Sequence, residues 1–406
     1  MLVQVTFFIF FDSLKSFLSI SHLLYLSDMG WPHRLHERLK HVTWAWFSAT
    51  MGTGSLALMI YQTPYQFRGL ITIGTIIFII DLIQFFICCS LLIARFIIVP
   101  KIFFNSLQHP IEAFYIGTFL VSLSLILQNV SQYGSPSCGP WLQEALQVCF
   151  WLYTGFATLF AVYQYYALFV SQRLETSKMV PAWILPIYPL LVTGPLAGVL
   201  LASQPTPNAV PIFVGGVLAQ GLGWMIATFL YVIWFLRLFS ADLPPPSARP
   251  GMYIAVGPTG FTAQALLTLG SRCPRILSQN FLGASGVPAG EILRVLGTIA
   301  GMFLWLLSFW YFCISTLAVA KGGREMKFSL QWWGFVFPNV GMVVSAIQIG
   351  NVLDSPGIKW VTCVAVAILF VAWVLVTVGH VRAVWLRQIA WDGKDEDAGM
   401  EFARMN

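Results

Sequence analysis

Charged residues are scarce in this chain. Only 9% of its 406 residues are Asp, Glu, Lys or Arg, and 58% are hydrophobic. Soluble domains carry about a quarter charged residues, which this chain does not have to cover a water-facing surface. Its mean hydropathy is +0.77. The composition excludes a soluble globular protein and predicts a polytopic membrane protein whose surface contacts the lipid bilayer.

Motifs for catalysis and metal binding are also missing. The seven cysteines form no CxxC or Cys/His pattern, so we expect no metal site. There is no G-x-S-x-G nucleophile and no phosphate loop, which argues against an enzyme and against a bound cofactor. The net charge of +6 comes from short loops without interleaved aromatics, so nucleic acid is not an expected partner. A disulfide between Cys138 and Cys273, in loops predicted to share one side, is an open alternative.

Ten hydrophobic spans divide the chain into a repeated unit. The odd spans have about 20 residues, just enough to cross a core of ~30 Å, whereas the even spans have about 28–32. The starts of successive odd spans are separated by roughly 69, 71, 70 and 80 residues. This period predicts an all-α membrane protein with ten transmembrane helices, arranged as five helical hairpins around a central pore. The predicted spans are 42–61, 70–97, 111–131, 141–171, 182–202, 209–239, 252–270, 289–320, 332–350 and 358–387.

Helix-breaking residues are concentrated in the odd spans. The fifth span contains Pro186, Pro189 and Pro195, and the seventh contains Gly257-Pro258-Thr259-Gly260. Irregular backbone at membrane depth is tolerated only where it is packed in protein or lines a wet cavity. We therefore predict that the odd helices form an inner ring and that residues 257–260 bend the seventh helix beside a pore. The alternative is that Gly and Pro are simply commoner in membrane helices.

Basic residues indicate the orientation and the domain limits. Sixteen loop Lys or Arg residues fall on one side of the predicted membrane, against four on the other, so both ends of the core are expected to be cytoplasmic. Residues 1–40 are predicted to be an N-terminal extension, interpreted as an interfacial helix because Asp12 and Lys15 interrupt its apolar run. Residues 41–388 are predicted to form the ten-helix transporter domain, and residues 389–406 are predicted to form a cytoplasmic tail.

Small polar residues of the odd spans are the candidates for lining a path. Their hydroxyl, amide and backbone N–H groups can donate to an anion, and conduction requires weak, repeated contacts of this kind. No carboxylate is expected along this path to attract cations. These features favour an anion path. The residues predicted to line it or to bind substrate are Thr53, Ser122, Gly257, Gly260, Thr262 and Asn339.

Ionisable residues within the membrane are functional candidates by default. Asp81, Glu112 and His109 are the possible proton-coupling groups. Glu112 follows Pro110 at the start of the third helix, where a capping carboxylate is an equally good interpretation. Asp81 lies on a long outer helix and has the alternative of bonding a neighbouring helix. His380, near the end of the tenth span, is equally consistent with a snorkelling surface role.

Five stretches of the chain resemble the tellurite-resistance/dicarboxylate transporter family, and above all its fungal malic-acid transport branch. They are "RLKHVTWAWFSATMGTGSLAL", "QHPIEAFYIGTF", "PAWILPIYPLLVTGPLAG", "ARPGMYIAVGPTGFTAQAL" and "WWGFVFPNVG", and they recur in order over roughly residues 33–390. The resemblance implies ten helices around a central pore, usually in a homotrimer with one pore per subunit. It also implies that a phenylalanine of the ninth helix closes the pore. By its position in the motif this is Phe337, with Phe335 as the alternative.

Transport is the function that these observations favour. The expected substrate is a small carboxylate, a four-carbon dicarboxylate such as malate, with proton symport as one mode, in a multi-pass protein of the plasma membrane. Sulfite efflux is the competing function within the same family. An integral enzyme should show acidic residues and histidines converging at one depth, and a receptor should not repeat one hairpin five times. Both features argue against a non-transport protein.

Overall fold

The computed structural model describes residues 38–109, 111–171, 175–283, 286–323 and 325–391. Most of the predicted N-terminal extension and of the tail lies outside these ranges. All regular secondary structure within them is helical, which confirms the all-α prediction. In chain order the α-helices are α1 (Phe47–Tyr61), α2 (Leu70–Ile98), α3 (Pro100–Gln108), α4 (Glu112–Asn129), α5 (Pro140–Ser171), α6 (Tyr188–Leu191), α7 (Thr193–Leu200), α8 (Thr206–Ser240), α9 (Val256–Ile276), α10 (Ala289–Gly322), α11 (Phe337–Val352) and α12 (Pro356–Trp385).

The five even spans are single, uninterrupted helices: α2, α5, α8, α10 and α12. They contain 29 to 35 residues each. Between 11% and 33% of an 18-residue apolar window of each is buried inside the protein. Their apolar side chains therefore point mostly outward, as expected for helices in contact with lipid or with another subunit.

The five odd spans are composite. Four of them begin with a 3₁₀ segment, and the third ends with a π-helical segment. In three of them 72% to 89% of an 18-residue window is buried, and in α1 every residue before Tyr61 is buried. The irregular backbone is thus confined to the buried spans, where protein and not lipid surrounds it. The segments are Trp44–Trp46, Val130–Gly134, Pro181–Ile187, Pro246–Ala255 and Leu330–Phe335.

Eight of the described helical spans are long and apolar enough to cross a membrane. The two odd spans outside this set are α1, which has only 15 residues, and α9, where Gly, Thr and Gln are mixed with apolar residues. Burial divides the spans into two classes, as the sequence predicted. The arrangement of ten helices as five hairpins stays a prediction.

One sequence prediction is wrong, and one alternative that the sequence left open fails. Gly257-Pro258-Thr259-Gly260 does not bend a helix, because α9 begins at Val256 and continues regularly to Ile276. Proline is tolerated in the first helical turn, and the irregular backbone lies just before it, in Pro246–Ala255. The alternative of a disulfide also fails: Cys138 and Cys273 are both free thiols, and the buried Cys273 Sγ donates to Leu269 O at 3.3 Å.

Candidate functional site

A cavity lies where the N-terminal parts of the odd spans meet. Its wall residues border about 380 Å³ of space not occupied by atoms, a volume that includes space open to solvent. Every odd span contributes to its wall: Ser48 and Met51 from the first, Tyr115 and Thr118 from the third, Leu185 and Tyr188 from the fifth, Ile254 from the seventh, and Trp333, Gly334, Phe337 and Pro338 from the ninth. Among the described residues, none from an outer helix lines the wall. The five buried spans therefore surround one common space.

Phe337 is part of this wall and is only 2% exposed. Its ring stacks on Phe261 of α9, with centroids 4.9 Å apart, and lies 5.8 Å from the ring of Tyr188. Phe335 packs elsewhere, against Tyr253 at 5.3 Å, and does not line the cavity. Residues two apart on a helix face different directions, which explains the difference. The geometry favours Phe337 over Phe335 as the closing residue.

Tyr188 holds the wall of the cavity together and was missed by the sequence analysis. Its hydroxyl donates a hydrogen bond to Ile254 O, joining the fifth span to the seventh. A Cβ atom at Gly257 would overlap that hydroxyl. Gly257 thus makes room for Tyr188 at the wall. A tyrosine set between Pro186 and Pro189 in a buried span was the signal that could have identified it.

Gly260 faces a neighbouring helix and not the cavity. A Cβ atom there would lie 2.7 Å from Met342 N and 2.9 Å from Gly341 C of α11, and 3.1 Å from Ser308 Oγ of α10. Contacts this short with backbone atoms allow no side chain. The position is required for the close packing of α9 on α11.

The three hydroxyl residues predicted to face the path lie between helices. Thr53 Oγ1 accepts from Trp373 Nε1 of α12 at 3.1 Å. Ser122 Oγ is 2.6 Å from Thr50 Oγ1 of α1. Thr262 Oγ1 accepts a hydrogen bond from Gln220 Nε2 of α8 at 2.8 Å. None of these three residues is among the described residues that line the cavity. Their hydroxyls join helices.

Asn339 and His109 are both hydrogen-bonded to nearby backbone. Asn339 Nδ2 donates to Phe335 O at 3.0 Å, and its Oδ1 is buried without a hydrogen-bond partner among the described residues. His109 Nδ1 accepts from Glu112 N at 3.3 Å, so the imidazole caps the start of α4. Neither side chain lines the cavity.

Glu112 is held in a buried ion pair with Arg95 of α2. The contact is bidentate, with Arg95 Nη1 on Oε1 and Arg95 Nη2 3.1 Å from Oε2. The two side chains are 11% and 6% exposed. A bidentate pair of this kind fixes both groups in place. The geometry favours a structural role for Glu112, joining α2 to the start of α4.

Asp81 belongs to α2 and lies buried against α1. It is 1% exposed, and within the described part of the chain its Oδ1 has no hydrogen-bond partner. A Cβ atom at Gly54 of α1 would lie 2.6 Å from its Oδ2. No charged residue occurs in Phe47–Tyr61 to neutralise a carboxylate. Of the three candidate proton-coupling groups, Asp81 is the one with a carboxyl oxygen, Oδ1, that has no hydrogen-bond partner among the described residues.

His380 is enclosed by aromatic side chains. Trp333 Nε1 donates to His380 Nδ1 at 3.3 Å, and the ring of Trp46 lies 5.3 Å away, edge on. Because Trp333 lines the cavity, His380 supports the wall from behind. This placement differs from a snorkelling side chain at the surface.

The cavity wall is mostly apolar and carries no fixed negative charge among its described lining residues. Its polar groups are the hydroxyls of Ser48, Tyr115, Thr118 and Tyr188 and the amide of Gln331, and none of the described lining residues is Asp or Glu. The wall residues lie in the first two turns of α1 and α4, at the starts of α6 and α11, and in the 3₁₀ segments Pro181–Ile187, Pro246–Ala255 and Leu330–Phe335. A wall without carboxylates does not repel an anion as fixed negative charges would.

Comparison with known proteins agrees with this geometry. The family model described as SLAC1, voltage-dependent anion channel, matches residues 41–381. The chain belongs to this family of anion channels and transporters. The sequence prediction of the family is confirmed, and the match covers every helix from α1 to α11 and most of α12.

Relatives in this family have two kinds of described cargo. The chain is 33% identical over 371 residues to a malic acid transport protein of Schizosaccharomyces pombe, covering 90% of this chain and 84% of the relative. It is 28% identical over 313 residues to a sulfite efflux pump of Arthroderma benhamiae, covering 77% and 82%. It is 22% identical over 372 residues to an uncharacterized transporter of Methanocaldococcus jannaschii, covering 88% and 99%.

Thiol labelling distinguishes the cavity wall from the helix contacts. In a version lacking the exposed Cys138, we expect Ser48→Cys to react readily with a small water-soluble thiol reagent, because Ser48 lines the cavity. Thr53→Cys is the matched control on the same helix, and we expect it to be inert behind Trp373. The reaction rates are measured from the mass shift of the labelled protein. If Thr53→Cys reacted as fast as Ser48→Cys, this assignment would be wrong.

Proposed function

We propose that this protein carries small organic anions, in particular four-carbon dicarboxylates such as malate, across a membrane along the buried odd spans. The observation that carries the proposal is the cavity bounded by all five of these spans, with Phe337 in its wall and no acidic residue. The 33% identity to a malic acid transport protein supports a dicarboxylate as the cargo. The family membership argues for transport and not catalysis.

The competing cargo is sulfite, because sulfite efflux pumps are also relatives at 28% identity. The deciding experiment is flux in a yeast strain lacking its own carriers for both anions. We expect uptake of labelled malate, inhibited by other four-carbon dicarboxylates and only weakly by sulfite. Sulfite flux without malate flux would overturn the dicarboxylate assignment.

We further propose that the protein is a homotrimer in the plasma membrane, with the cavity opening to the cytoplasm. The sixteen-to-four distribution of basic loop residues supports this orientation, because the cavity lies at the end of the odd spans where those residues collect. The outward-facing apolar surfaces of the even helices offer area for subunit contacts. Cross-linking in the native membrane and accessibility of a tag after Trp385 test these two points.

Uptake is expected to fall steeply as external pH rises through the second pKa of the acid. Moving one charge against ~100 mV costs about 2.3 kcal/mol, so a dianion entering a negative-inside cell costs roughly twice that. For the monoanion, which is abundant in acidic medium, the electrical energy required is only half that of the dianion. Measurement of initial uptake rate against external pH at constant total malate tests this expectation. Uptake that stays level with pH would contradict it.

Two variants show where the pH dependence resides. Glu112→Gln should keep most of it, because the carboxylate is already committed to Arg95. Asp81→Asn is the informative partner, since Asp81 is buried and its Oδ1 has no hydrogen-bond partner among the described residues. If Asp81→Asn also keeps the dependence, coupling lies in the substrate's own protonation. If either variant becomes insensitive to pH while still transporting, that residue carries the coupled proton.

A further inference from the structure

Contacts to the outer helices identify the outward side of α9. Thr262 accepts a hydrogen bond from Gln220 of α8 at 2.8 Å. Near the start of the helix, Val256 O accepts from Ser308 Oγ of α10 at 2.9 Å. Successive residues of an α-helix are separated by ~100°, so residues almost opposite Thr262 face away from α8. Gln264, at about 160° from Thr262, is such a residue.

Contacts to the inner helices place Gln264 between them. Gly260 packs against Met342 of α11, and the Cβ of Ala265 lies 2.7 Å from the Cβ position of Gly194 in α7. On the circumference of α9, Gln264 falls between Gly260 and Ala265. Its position on the helix therefore places Gln264 on the side of α9 that faces the inner helices α7 and α11, one side of the ring that the inner spans form.

The depth of Gln264 is set by Phe261. Gly257, Phe261 and Gln264 follow one another at i, i+4 and i+7 and share one face of α9. Phe261 stacks on Phe337. Three residues correspond to ~4.5 Å of helix, so Gln264 lies about one turn beyond this aromatic pair, on the side away from the cavity.

The side-chain oxygen of Gln264 is buried and has no hydrogen-bond partner among the described residues. The residue is 1% exposed. A buried polar group without a hydrogen-bond partner destabilises the folded protein, because it has lost its hydrogen bonds to water. An amide at this position is explained if a transported ligand forms hydrogen bonds with it as the ligand moves along the path.

We propose that Gln264 binds the transported anion immediately beyond Phe337 and contributes to its selection. This inference rests on the proposed transport of small carboxylates. A primary amide offers N–H groups to a carboxylate and an acceptor oxygen to a hydroxyl or a protonated carboxyl. A hydroxy-dicarboxylate monoanion presents all of these groups. Because the amide is neutral, it orders the anion without trapping it, as conduction requires.

Gln164 of α5 provides a matched control. It is fully buried, its Nε2 donates to Leu107 O at 3.2 Å, and its Oε1 has no partner within the described residues. It belongs to the outer helix α5, and its amide is directed at α3, whereas Gln264 belongs to the inner helix α9. Loss of a buried amide at Gln164 therefore has the same chemistry without the proposed contact to substrate.

The test is the kinetics of labelled malate uptake at acidic pH, with surface expression measured in parallel. We expect Gln264→Leu to raise the apparent KM roughly tenfold, the factor that one lost hydrogen bond of about 1.4 kcal/mol represents. Gln264→Met keeps the side-chain length and should behave in the same way if Gln264→Leu expresses poorly. Gln164→Leu should leave the apparent KM unchanged.

A second readout, thiol labelling, does not depend on the kinetics of transport. With Phe337 replaced by alanine and Cys138 removed, Gln264→Cys should react with a water-soluble thiol reagent, and malate should slow the reaction. An unchanged apparent KM in both Gln264 variants, an equal effect of Gln164→Leu, or labelling that malate does not slow would each overturn the inference. If the wild-type protein carries sulfite and not malate, the proposed cargo is wrong, and the same variants measured with sulfite decide the role of Gln264 separately.

Discussion

Phe337→Ala is expected to raise passive anion conductance by at least about tenfold, equivalent to a barrier lower by about 1.4 kcal/mol. The ring is 2% exposed and stacks on Phe261 beside Tyr188, so it fills the space between the inner spans. An apolar constriction blocks ions by excluding water, and removing the ring allows water to enter. Anion currents measured under voltage clamp in a heterologous membrane give the result directly.

Phe335→Ala is the control for this prediction. It removes a ring of the same size two residues away, but that ring packs on Tyr253 and lies outside the cavity wall. We expect conductance close to wild type from this variant. If Phe335→Ala opens the path and Phe337→Ala does not, the closing residue is misassigned by two positions.

Gly260→Leu is expected to prevent the protein from folding stably. Its Cβ would lie 2.7 Å from Met342 N and 2.9 Å from Gly341 C, both backbone atoms of α11 that cannot rotate away. Overpacking in a close-packed interior costs typically 1–3 kcal/mol and more where backbone must shift, and here a whole branched side chain must be placed. The measurement is the yield of monodisperse protein in detergent and its thermal midpoint.

Gly221→Leu is the matched control for Gly260→Leu. Gly221 lies on the outer helix α8, and no atom lies within 4 Å of its Cβ position. We expect this protein to be recovered at wild-type yield. The sequence alone predicted that Gly260 lines the path, in which case Gly260→Leu would fold normally and fail to transport. A stable but inactive Gly260→Leu protein would restore that interpretation.

The division into inner and outer spans was predictable, because it depends on quantities that a sequence records directly. Span length, helix breakers and polar content differ between the two classes, and burial follows them. The place of Phe337 near the inner spans was also accessible, through its position beside Pro338 in a recognisable motif, and the structure puts it in the cavity wall. That it closes the path stays a prediction. These signals are local, because each is contained in the sequence of a single span.

The contacts of single polar residues were not predictable in the same way. A hydroxyl such as Thr53 bonds its own helix, to Ala49 O, and also an indole more than 300 positions away in the sequence. Nothing local distinguishes that arrangement from a hydroxyl facing a path. Glu112 likewise finds Arg95 only when α2 and α4 are packed, so its ion pair is a property of the fold.

The 3₁₀ segments of the inner spans reduce the number of side chains per ångström of depth along these spans. A 3₁₀ helix rises ~2.0 Å per residue against ~1.5 Å for an α-helix, so the ten residues of Pro246–Ala255 extend about 5 Å further than they would as α-helix. Stretched backbone carries roughly a quarter fewer side chains per ångström of depth. Residues of three of these stretched segments, Leu185, Ile254 and Trp333, line the cavity. The lower density of side chains at that level leaves room for the cavity between the inner spans.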